Sequence, residues 1–523
     1  HLLRQVQNQG ISIFIKLRVR IHYSILGRNL WDTVGRNLLF FVALKHKTSD
    51  EAAPYITVCV LIIFVTNNLD QPMTINKLTI WVIGMLLPLV WSCTKVENTD
   101  PSTLDKSLET ALMNISNGQG KSFFALPNSD ELAKIPQDPK NPLTVAKVKL
   151  GQLLFHETAL ALDAEQNIGM RTYSCASCHN AGAGFQAAVK QGIGEGGTGF
   201  GTHGEARTKD PNYADENLDV QPLRTPSAMN GAYQKVTLWN GQFGATGPNI
   251  GTEANWTAYT PKEVNNLGYE GLETQAIAGL TVHRLKIDTQ TLFAMGYKKL
   301  FDEAFPDVPE ATRYTRETAG LAIAAFERTI LANEAPFQKW LDGDLTAMSD
   351  AQKNGAILFF GKAQCGTCHT GPALNAMEFY ALGMNDLSGT GVFGVTQTEL
   401  DNAGKGRGGF TGNTQDMYKF KVPQLYNLSN SPFYGHGGNF TTIKSVIAYK
   451  NQALAQNAQV PASQLAAGFQ PLHLDDTEID LLVDFLKNAL NDPNLKRYEP
   501  AQLPSGYCFP NADTKSKADM GCN

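Results

Sequence analysis

The chain has 523 residues, of which 42% are hydrophobic and 18% charged. This is an ordinary globular mixture, and it excludes disordered, collagen-like and polytopic membrane proteins. Forty-four Lys and Arg against 49 Asp and Glu give a net charge of −5, so the chain has no general positive field for nucleic acid, and we predict no nucleic-acid partner. Forty-seven Gly and 25 Pro predict long irregular loops.

Residues 1–72 differ from the rest of the chain. They begin at His1 rather than Met, carry basic patches, and contain apolar runs such as Ile56–Val65 without a clear helical or strand period. We interpret this segment as non-native sequence upstream of the protein, and its pattern assigns it no helix or strand.

A targeting signal follows over residues 73–92. A lysine and then an apolar stretch over 78–91 precede Cys93, which is the order found in secretory signal peptides. The residues before Cys93 resemble the lipobox of bacterial lipoproteins, in which the cysteine is acylated. A transmembrane anchor is the weaker alternative, because this stretch contains Pro88 and is shorter than the roughly 20 residues that cross a bilayer. We expect an exported, periplasmic protein with a lipid anchor on Cys93.

Four of the eight cysteines fall in two copies of one motif. Each copy reads C-x-x-C-H, the attachment signature of c-type haem. The two thiols reach the two vinyl groups on one edge of the porphyrin, and the histidine that follows becomes the proximal iron ligand. The first copy is Cys175, Cys178 and His179, and the second is Cys365, Cys368 and His369.

Other uses of these cysteines agree less well with the sequence. A thioredoxin-type pair follows a strand in a βαβ unit, and neither motif does. The pairs of a shared Cys₄ zinc site are usually some 15–20 residues apart, whereas these motifs begin at Cys175 and Cys365. Two covalently bound haems are therefore predicted. Cys508 and Cys522 either form a disulfide or remain two free thiols.

Helical periodicity and loop composition give the organisation around the haems. Apolar residues recur at helical spacing over 145–155, 311–331, 351–360 and 477–490, whereas 191–204 is Gly-rich and 240–261 has no period. The predicted fold is mainly α, with two cytochrome c-like haem domains joined by long irregular loops. These domains divide near 306–312.

With these motifs and flanks, the chain resembles the bacterial di-haem cytochrome c peroxidase family, which includes MauG, the enzyme that matures methylamine dehydrogenase. The similarity extends over about 145–490. The matching segments are 150–155 before the first motif, 224–227 and 238–241, 355–359 before the second motif, and 418–423 and 432–438 after it.

The resemblance implies a function for each domain. Residues 93–310 would hold the haem that cleaves hydrogen peroxide, and residues 311–523 the haem that accepts electrons from a small cytochrome c or cupredoxin. Trp239 would lie between the haems on the electron path. Dimers are usual in this family, so a homodimer is expected. The alternatives are a MauG-like oxidase acting on a protein or organic substrate, and a di-haem electron carrier without enzymatic activity.

The resemblance also indicates residues on the open side of the first haem. Gln275 matches the segment of the Gln that orients peroxide, but no carboxylate stands where the family's proton-transferring Glu is expected. His283 lies close to that place, and a histidine can transfer the proton near neutral pH. The family's removable His ligand would fall in the Gly-rich loop, where Glu195 stands at the matching place and His203 follows. If neither ligates, the first haem is open without reductive activation.

Two further positions depart from the family. The Met ligand expected fourteen residues after His436 is absent, and we expect Tyr449 to bind the second haem iron as a phenolate, with Lys450 or an open site as alternatives. Asn430 and Pro432 match two positions of the family's calcium site. Arg224, however, stands where the family has an Asn ligand. The two matches predict one bound calcium ion. Arg224 is evidence against this site, because a guanidinium has only donors and cannot bind a cation.

Overall fold

The computed structural model describes residues 102–522, together with the backbone of two strands at 38–47 and 56–65. The predicted signal peptide over 73–92 and the lipidation site at Cys93 lie outside the described residues. No helix in the described ranges is both long and apolar enough to span a bilayer.

The N-terminal segment contains a hairpin that the sequence did not lead us to expect. Strand β1 (Leu38–Lys47) pairs antiparallel with β2 (Ile56–Val65), with Leu38 opposite Val65. Continuous runs of β-branched and other apolar residues suit a strand even without alternation, because periodicity cannot identify such runs. Residues 1–100 form a unit of their own, separate from the unit that begins at Pro101.

The rest of the described chain is mainly helical, as predicted. Its α-helices are α1 (Thr103–Ile115), α2 (Val145–His156), α3 (Gly271–Val282), α4 (Thr289–Ala294), α5 (Tyr297–Ala304), α6 (Glu310–Arg313), α7 (Arg316–Thr329), α8 (Pro336–Leu341), α9 (Asp350–Phe360), α10 (Gln397–Gly404), α11 (Arg407–Thr411), α12 (Ile443–Gln452), α13 (Asp476–Asp484) and α14 (Thr514–Met520). Its strands are short, with β3 (Gly197–Thr198) paired to β4 (Thr208–Lys209) and β5 (Phe379–Tyr380) paired to β6 (Phe420–Lys421).

Local capping explains where the predicted helices begin. Thr144 caps α2, Ser349 caps α9 and Asp475 caps α13, each by accepting a hydrogen bond from the backbone N–H three residues on. The helix predicted over 311–331 is divided, because Thr315 forms a capping box that starts α7 after the short α6. Beyond α13 the chain continues as a π-helical turn over Phe485–Ala489.

Two helix groups share one hydrophobic core. Helices α2, α3 and α7 pack together on one side, and α1, α9 and α13 on the other. The ring centroids of Phe155 in α2 and Phe326 in α7 are 5.4 Å apart. Those of Phe337 in α8 and Phe485 after α13 are 5.5 Å apart. The hydrophobic core is continuous, and residues 101–523 form one compact unit. The division of the chain into two haem domains, 93–310 and 311–523, therefore stays a prediction.

The Gly-rich and aperiodic segments are loops with short 3-10 turns, as predicted. The C-terminal tail closes on itself through a disulfide between Cys508 and Cys522, which was one of the two alternatives from the sequence. This tail packs against the first motif, since the hydroxyls of Ser174 and Ser177 donate to the carbonyl of Pro510.

Candidate functional site

Each C-x-x-C-H motif forms a single 3-10 turn. The turns are Cys175–Ser177 and Cys365–Thr367, and the histidine that follows each turn donates its backbone N–H to the carbonyl of the first cysteine. All four cysteines of the motifs are free thiols. The turn holds two thiols and an imidazole within one small segment, which is the arrangement that haem attachment requires.

The two motif histidines present the nitrogen that an iron needs. Nδ1–H of His179 donates to the carbonyl of Phe185 at 3.1 Å, and Nδ1–H of His369 faces the carbonyls of Leu374 and Pro423, each at 3.1 Å. These bonds leave Nε2 free in each ring. Burial lowers the pKa of both imidazoles to about 4, so both are neutral and can act as ligands.

Both motifs open onto one central cavity of about 560 Å³. Its wall includes His179 from the first motif and Cys365, Cys368 and His369 from the second. Free thiols, neutral imidazoles and an adjoining cavity with a largely apolar wall fit covalently bound haem. No group of three or more His, Cys, Asp or Glu side chains is placed to hold a metal ion within the described ranges.

Gln275 and His283 lie on the same face of helix α3. A side chain at Gly279, one turn from each, would meet the Gln275 amide nitrogen at 3.7 Å and the His283 ring at 3.8 Å. Gln275 lines the cavity together with His179. Because Gly279 has no side chain, nothing from that position separates the amide from the imidazole. His283 itself does not line the cavity.

His283 forms an ion pair with a carboxylate that the sequence analysis did not identify. Its Nδ1 lies 2.9 Å from both carboxylate oxygens of Asp219. Burial alone would lower the pKa of His283, but the charge and the hydrogen bond of Asp219 outweigh that effect and raise the pKa above 6.5. Gly194 permits this geometry, because a Cβ there would lie 2.1 Å from an Asp219 oxygen.

Glu195 does not face the cavity. Its fully buried carboxylate accepts hydrogen bonds from the Arg284 guanidinium, the Tyr213 hydroxyl at 3.0 Å and the backbone N–H of Gln166 at 3.0 Å. These contacts make Glu195 an anchor of the Gly-rich loop, which differs from the place of a removable haem ligand that the resemblance implied. His203 is exposed and does not line the cavity either.

Trp239 lines the cavity. Its indole N–H donates to the carbonyl of Arg224 at 2.8 Å, and its own carbonyl accepts from the backbone N–H of Lys421 at 2.8 Å. The indole ring lies edge-on to the ring of His436, with centroids 6.4 Å apart. The ring of His436 stacks on Phe420 at 3.7 Å. A continuous row of rings thus runs along this wall.

Arg224, which stands where the resembled family has a calcium ligand, contributes a buried guanidinium. It donates to the carbonyls of Val189 and Ala187 and to the Ser431 hydroxyl at 2.6 Å. The Arg224 side chain is buried and has no carboxylate partner among residues 102–522, so its ligands are neutral oxygens of the kind that calcium prefers. The amide nitrogen of Asn430 donates to the carbonyl of Gly182, and its amide oxygen accepts from the Asn427 amide. Pro432 is exposed.

Tyr449 does not lie where the sequence predicts a ligand of the second haem iron. Its hydroxyl donates to the carbonyl of Leu382 at 2.5 Å, and its ring packs between Phe440 and Phe469. Tyr449 does not line the cavity, but Lys450 does. One position on a helix is a rotation of about 100°, so only one of these two neighbours can face the cavity.

Two further cavity residues escaped the sequence analysis. The Lys421 amine, whose pKa burial lowers to about 7, donates to the carbonyl of Val236 at 2.8 Å and to the Gln234 amide oxygen. Glu327 lines the cavity from α7, and one of its carboxylate oxygens has no partner in the described chain. Burial, aided by the charge of Glu273, raises the pKa of Glu327 to about 8. Neither residue belongs to a motif that spacing could reveal.

The chain is similar in sequence to known di-haem proteins. The family model described as di-haem cytochrome c peroxidase matches residues 145–346. The methylamine utilization protein MauG of Methylorubrum extorquens is 28% identical over 377 residues, which are 71% of this chain and 85% of that protein. The cytochrome c551 peroxidase of Nitrosomonas europaea is 23% identical over 344 residues, 66% of this chain and 84% of that protein.

A solved structure is also similar. The crystal structure of a MauG-like protein associated with microbial copper homeostasis aligns with a TM-score of 0.47 at 22% identity, covering 71% of this chain and 95% of that chain.

Proposed function

We propose that this chain, which belongs to the di-haem cytochrome c peroxidase and MauG family, reduces hydrogen peroxide to water with electrons from a small cytochrome c or cupredoxin. The family implies two c-type haems, which Cys175, Cys178 and His179 and Cys365, Cys368 and His369 would hold. The observation that carries the proposal is that His179, Gln275, Trp239 and His369 all line one cavity.

Haem iron would supply the site that binds and cleaves peroxide and would store the electrons that reduce it. The chain's own residues supply orientation and proton transfer. The amide of Gln275 donates to peroxide and orients it. The imidazole of His283 accepts the proton of the near oxygen and delivers it to the far oxygen, which leaves as water. Asp219 holds His283 in place through its carboxylate.

Electrons enter at the second motif and reach the first by way of Trp239. The support is the row of rings formed by Trp239, His436 and Phe420 on the cavity wall. Asp386 fixes the ring of His436 through a 2.9 Å contact to its Nε2. Rigid packing keeps the distances between these rings constant, which steady electron transfer requires.

The first haem is open to peroxide without prior reductive activation. Glu195 is held by Arg284, and His203 is exposed, so neither is placed to block the iron of the first motif. Displacing Glu195 would break the ion pair between its fully buried carboxylate and Arg284, which opposes such movement.

Calcium is not needed between the haems if Arg224 takes its place. A guanidinium and a calcium ion are both cations that bind oxygen atoms, and Arg224 already binds oxygens from the loop 187–189 and from Ser431. We retain Asn430 and Pro432 as the calcium ligands to test, and the expected result is that chelators change nothing.

The remaining assignments concern the protein's surroundings. Covalent haem is attached outside the bacterial cytoplasm, so the enzyme would be periplasmic, held there by a lipid on Cys93. The net charge of −5 suits a basic donor protein. A homodimer is proposed from the family alone.

Steady-state oxidation of a reduced small cytochrome c by hydrogen peroxide tests this function. We expect turnover that depends on both reactants and that stops when the second motif is changed from Cys-x-x-Cys to Ala-x-x-Ala. The missing Met after His436 favours a second candidate, a MauG-like oxidase. That enzyme would react with peroxide stoichiometrically and oxidise an organic or protein substrate, without turnover on cytochrome c. A protein whose ferric irons are both low-spin and that ignores peroxide would be an electron carrier.

A further inference from the structure

Helix α12 presents a single charged group to the central cavity. The residues of this helix that line the cavity are Ile443, Val446, Ile447 and Lys450. Their spacing of three, four and seven positions puts them on one face of the helix. Lys450 is therefore the polar end of an otherwise apolar face.

Lys450 lies close to the second motif. After the larger effect of burial, its charge contributes to the low pKa of His369, and it also acts on Cys365. Lys450 lines the same cavity as Cys365, Cys368 and His369. A haem attached to these cysteines would have its iron at Nε2 of His369, so a group that shares the cavity with all three residues would lie near that haem.

The Lys450 amine has no hydrogen bond or ion pair with residues 102–522, although two neighbours on the same helix do. The hydroxyl of Tyr449 donates to a backbone carbonyl, and Lys444 pairs with Asp480 at 2.6 Å. Burial lowers the pKa of the Lys450 amine and so favours its neutral form. A half-buried amine without a partner is stabilised if the cavity supplies one.

We propose that Lys450 is the sixth ligand of the iron in the second haem. The proposal rests on the proposed function only in that a haem must be bound at Cys365 and Cys368. The ammonium group releases its proton to water, and the lone pair of the neutral nitrogen forms the bond to iron, with no change of oxidation state. A methionine ligand raises the potential of a c-type haem, so an amine leaves the potential of this haem lower.

The cavity also offers a thioether as a competing ligand. Met384 also lines it, and its sulfur lies 3.3 Å from where a Cβ of Gly435 would be. Met384 packs beside the cluster of Phe440 and Tyr449, which supports a structural role for the thioether. Its substitution is therefore a matched control.

The test uses the full chain with its haems, compared with Lys450→Arg, Lys450→Met and Met384→Leu. Arginine keeps the charge and length but cannot lose its proton, so it cannot coordinate. Electron paramagnetic resonance and near-infrared magnetic circular dichroism of the ferric proteins report the ligands. We expect one high-spin and one low-spin haem in the wild type and two high-spin haems in Lys450→Arg. Lys450→Met should restore a low-spin haem with the spectrum of a methionine ligand and a higher potential.

Met384→Leu and Tyr449→Phe should leave the wild-type spectrum unchanged. If Lys450→Arg keeps the wild-type low-spin signal, the ligand proposal is overturned, and a spectral change in Met384→Leu or Tyr449→Phe overturns it in favour of that residue. If Lys450→Arg does not fold, an unchanged spectrum in Lys450→Met overturns it as well. Haem content is measured first. Protein without covalent haem contradicts the proposed function, whereas two haems with unaltered spectra contradict only the ligand.

Discussion

The indole N–H of Trp239 donates a 2.8 Å hydrogen bond to the backbone carbonyl of Arg224. The guanidinium of the same arginine binds carbonyls of the loop after the first motif and the hydroxyl of Ser431, which follows the second motif along the chain. The backbone N–H of Arg224 donates to the carbonyl of His436 at 2.9 Å. One residue therefore orients the ring on the proposed electron path and joins the segments on either side of it.

Replacing Arg224 should destabilise the protein without creating a need for calcium. Arg224→Met leaves several buried oxygens without a donor. Since each hydrogen bond to a charged group contributes about 1.5–3 kcal/mol, we expect a loss on the order of 3 kcal/mol or more. Thermal unfolding of wild type and variant, with and without a calcium chelator, measures both effects. Arg224→Lys should be intermediate, because an ammonium cannot reproduce the planar fork. A chelator that lowers the melting temperature of the wild type would contradict the replacement of calcium by Arg224.

The two motifs should contribute haem independently. Replacing Cys175 and Cys178 with Ala should halve the covalent haem, and replacing Cys365 and Cys368 as well should abolish it, because each pair forms its own thioether bonds. The measurement is haem that stays with the chain on denaturing gels. Colourless protein that binds zinc stoichiometrically would rule out this assignment. Replacing Cys508 and Cys522, which form a disulfide, should leave the haem content unchanged and serves as the control.

Replacing Gln275 should slow the reaction with peroxide more than it changes the haem spectrum. Gln275→Leu keeps the size of the side chain but removes the amide that faces the cavity, so the second-order reaction with peroxide should slow by about 10–100-fold while the resting spectrum changes little. Stopped-flow mixing with peroxide measures the rate. Gln290, on the exposed side of α4, provides a matched control as Gln290→Leu. Equal rates in wild type and Gln275→Leu would leave Gln275 as a packing residue.

Glu327 should make stability depend on pH. Its pKa, raised to about 8 by burial and by the charge of Glu273, exceeds its ordinary value of 4.5, so the unfolded chain releases this proton at lower pH than the folded chain. Stability is therefore lost progressively as the pH rises from about 4.5 to about 8. Glu327→Gln removes this loss. Its melting temperature should exceed that of the wild type by an amount that grows over this range, and a constant difference would contradict the raised pKa.

Local sequence patterns predicted the elements that depend on neighbouring residues. The haem motifs, the helices at 145–155 and 351–360 and the Gly-rich loop each carry their own signal, and the structure contains the helices and the loop. Tyr449 and Lys450 lie on helix α12, and which of its residues faces the cavity depends on packing. The aromatic cluster around Tyr449 decides that orientation, and it is assembled from distant segments.

The polar partners in the site could not be predicted for the same reason. Asp219 reaches His283 across 64 positions, and Glu195 reaches Arg284 across 89. No periodicity connects such pairs. The one local signal was the run of glycines, since Gly194 leaves room for the Asp219 carboxylate. The run of glycines indicates that another part of the chain approaches the backbone closely there, but it does not indicate which side chain does so.

The pair of His283 and Asp219 should set the acid side of the pH profile. To accept a proton from peroxide, His283 must start neutral, and Asp219 raises its pKa above 6.5. In the wild type the reaction with peroxide should therefore fall as the pH decreases through this raised pKa. Asp219→Asn removes the negative charge, so the pKa of His283 falls and the acid limb of the profile should move to lower pH. The measurement is the second-order rate constant for peroxide across the pH range.

A second variant separates proton transfer from packing. His283→Gln retains a polar side chain without a titrating imidazole, so the rate should fall by about 10²-fold or more, and the acid limb due to His283 should disappear. Arg284→Gln is the neighbouring control. It weakens the contact with Glu195 and lowers stability, but the acid limb should remain, because the imidazole and Asp219 are still present. An acid limb that stays in place in both Asp219→Asn and His283→Gln would show that another group carries the proton.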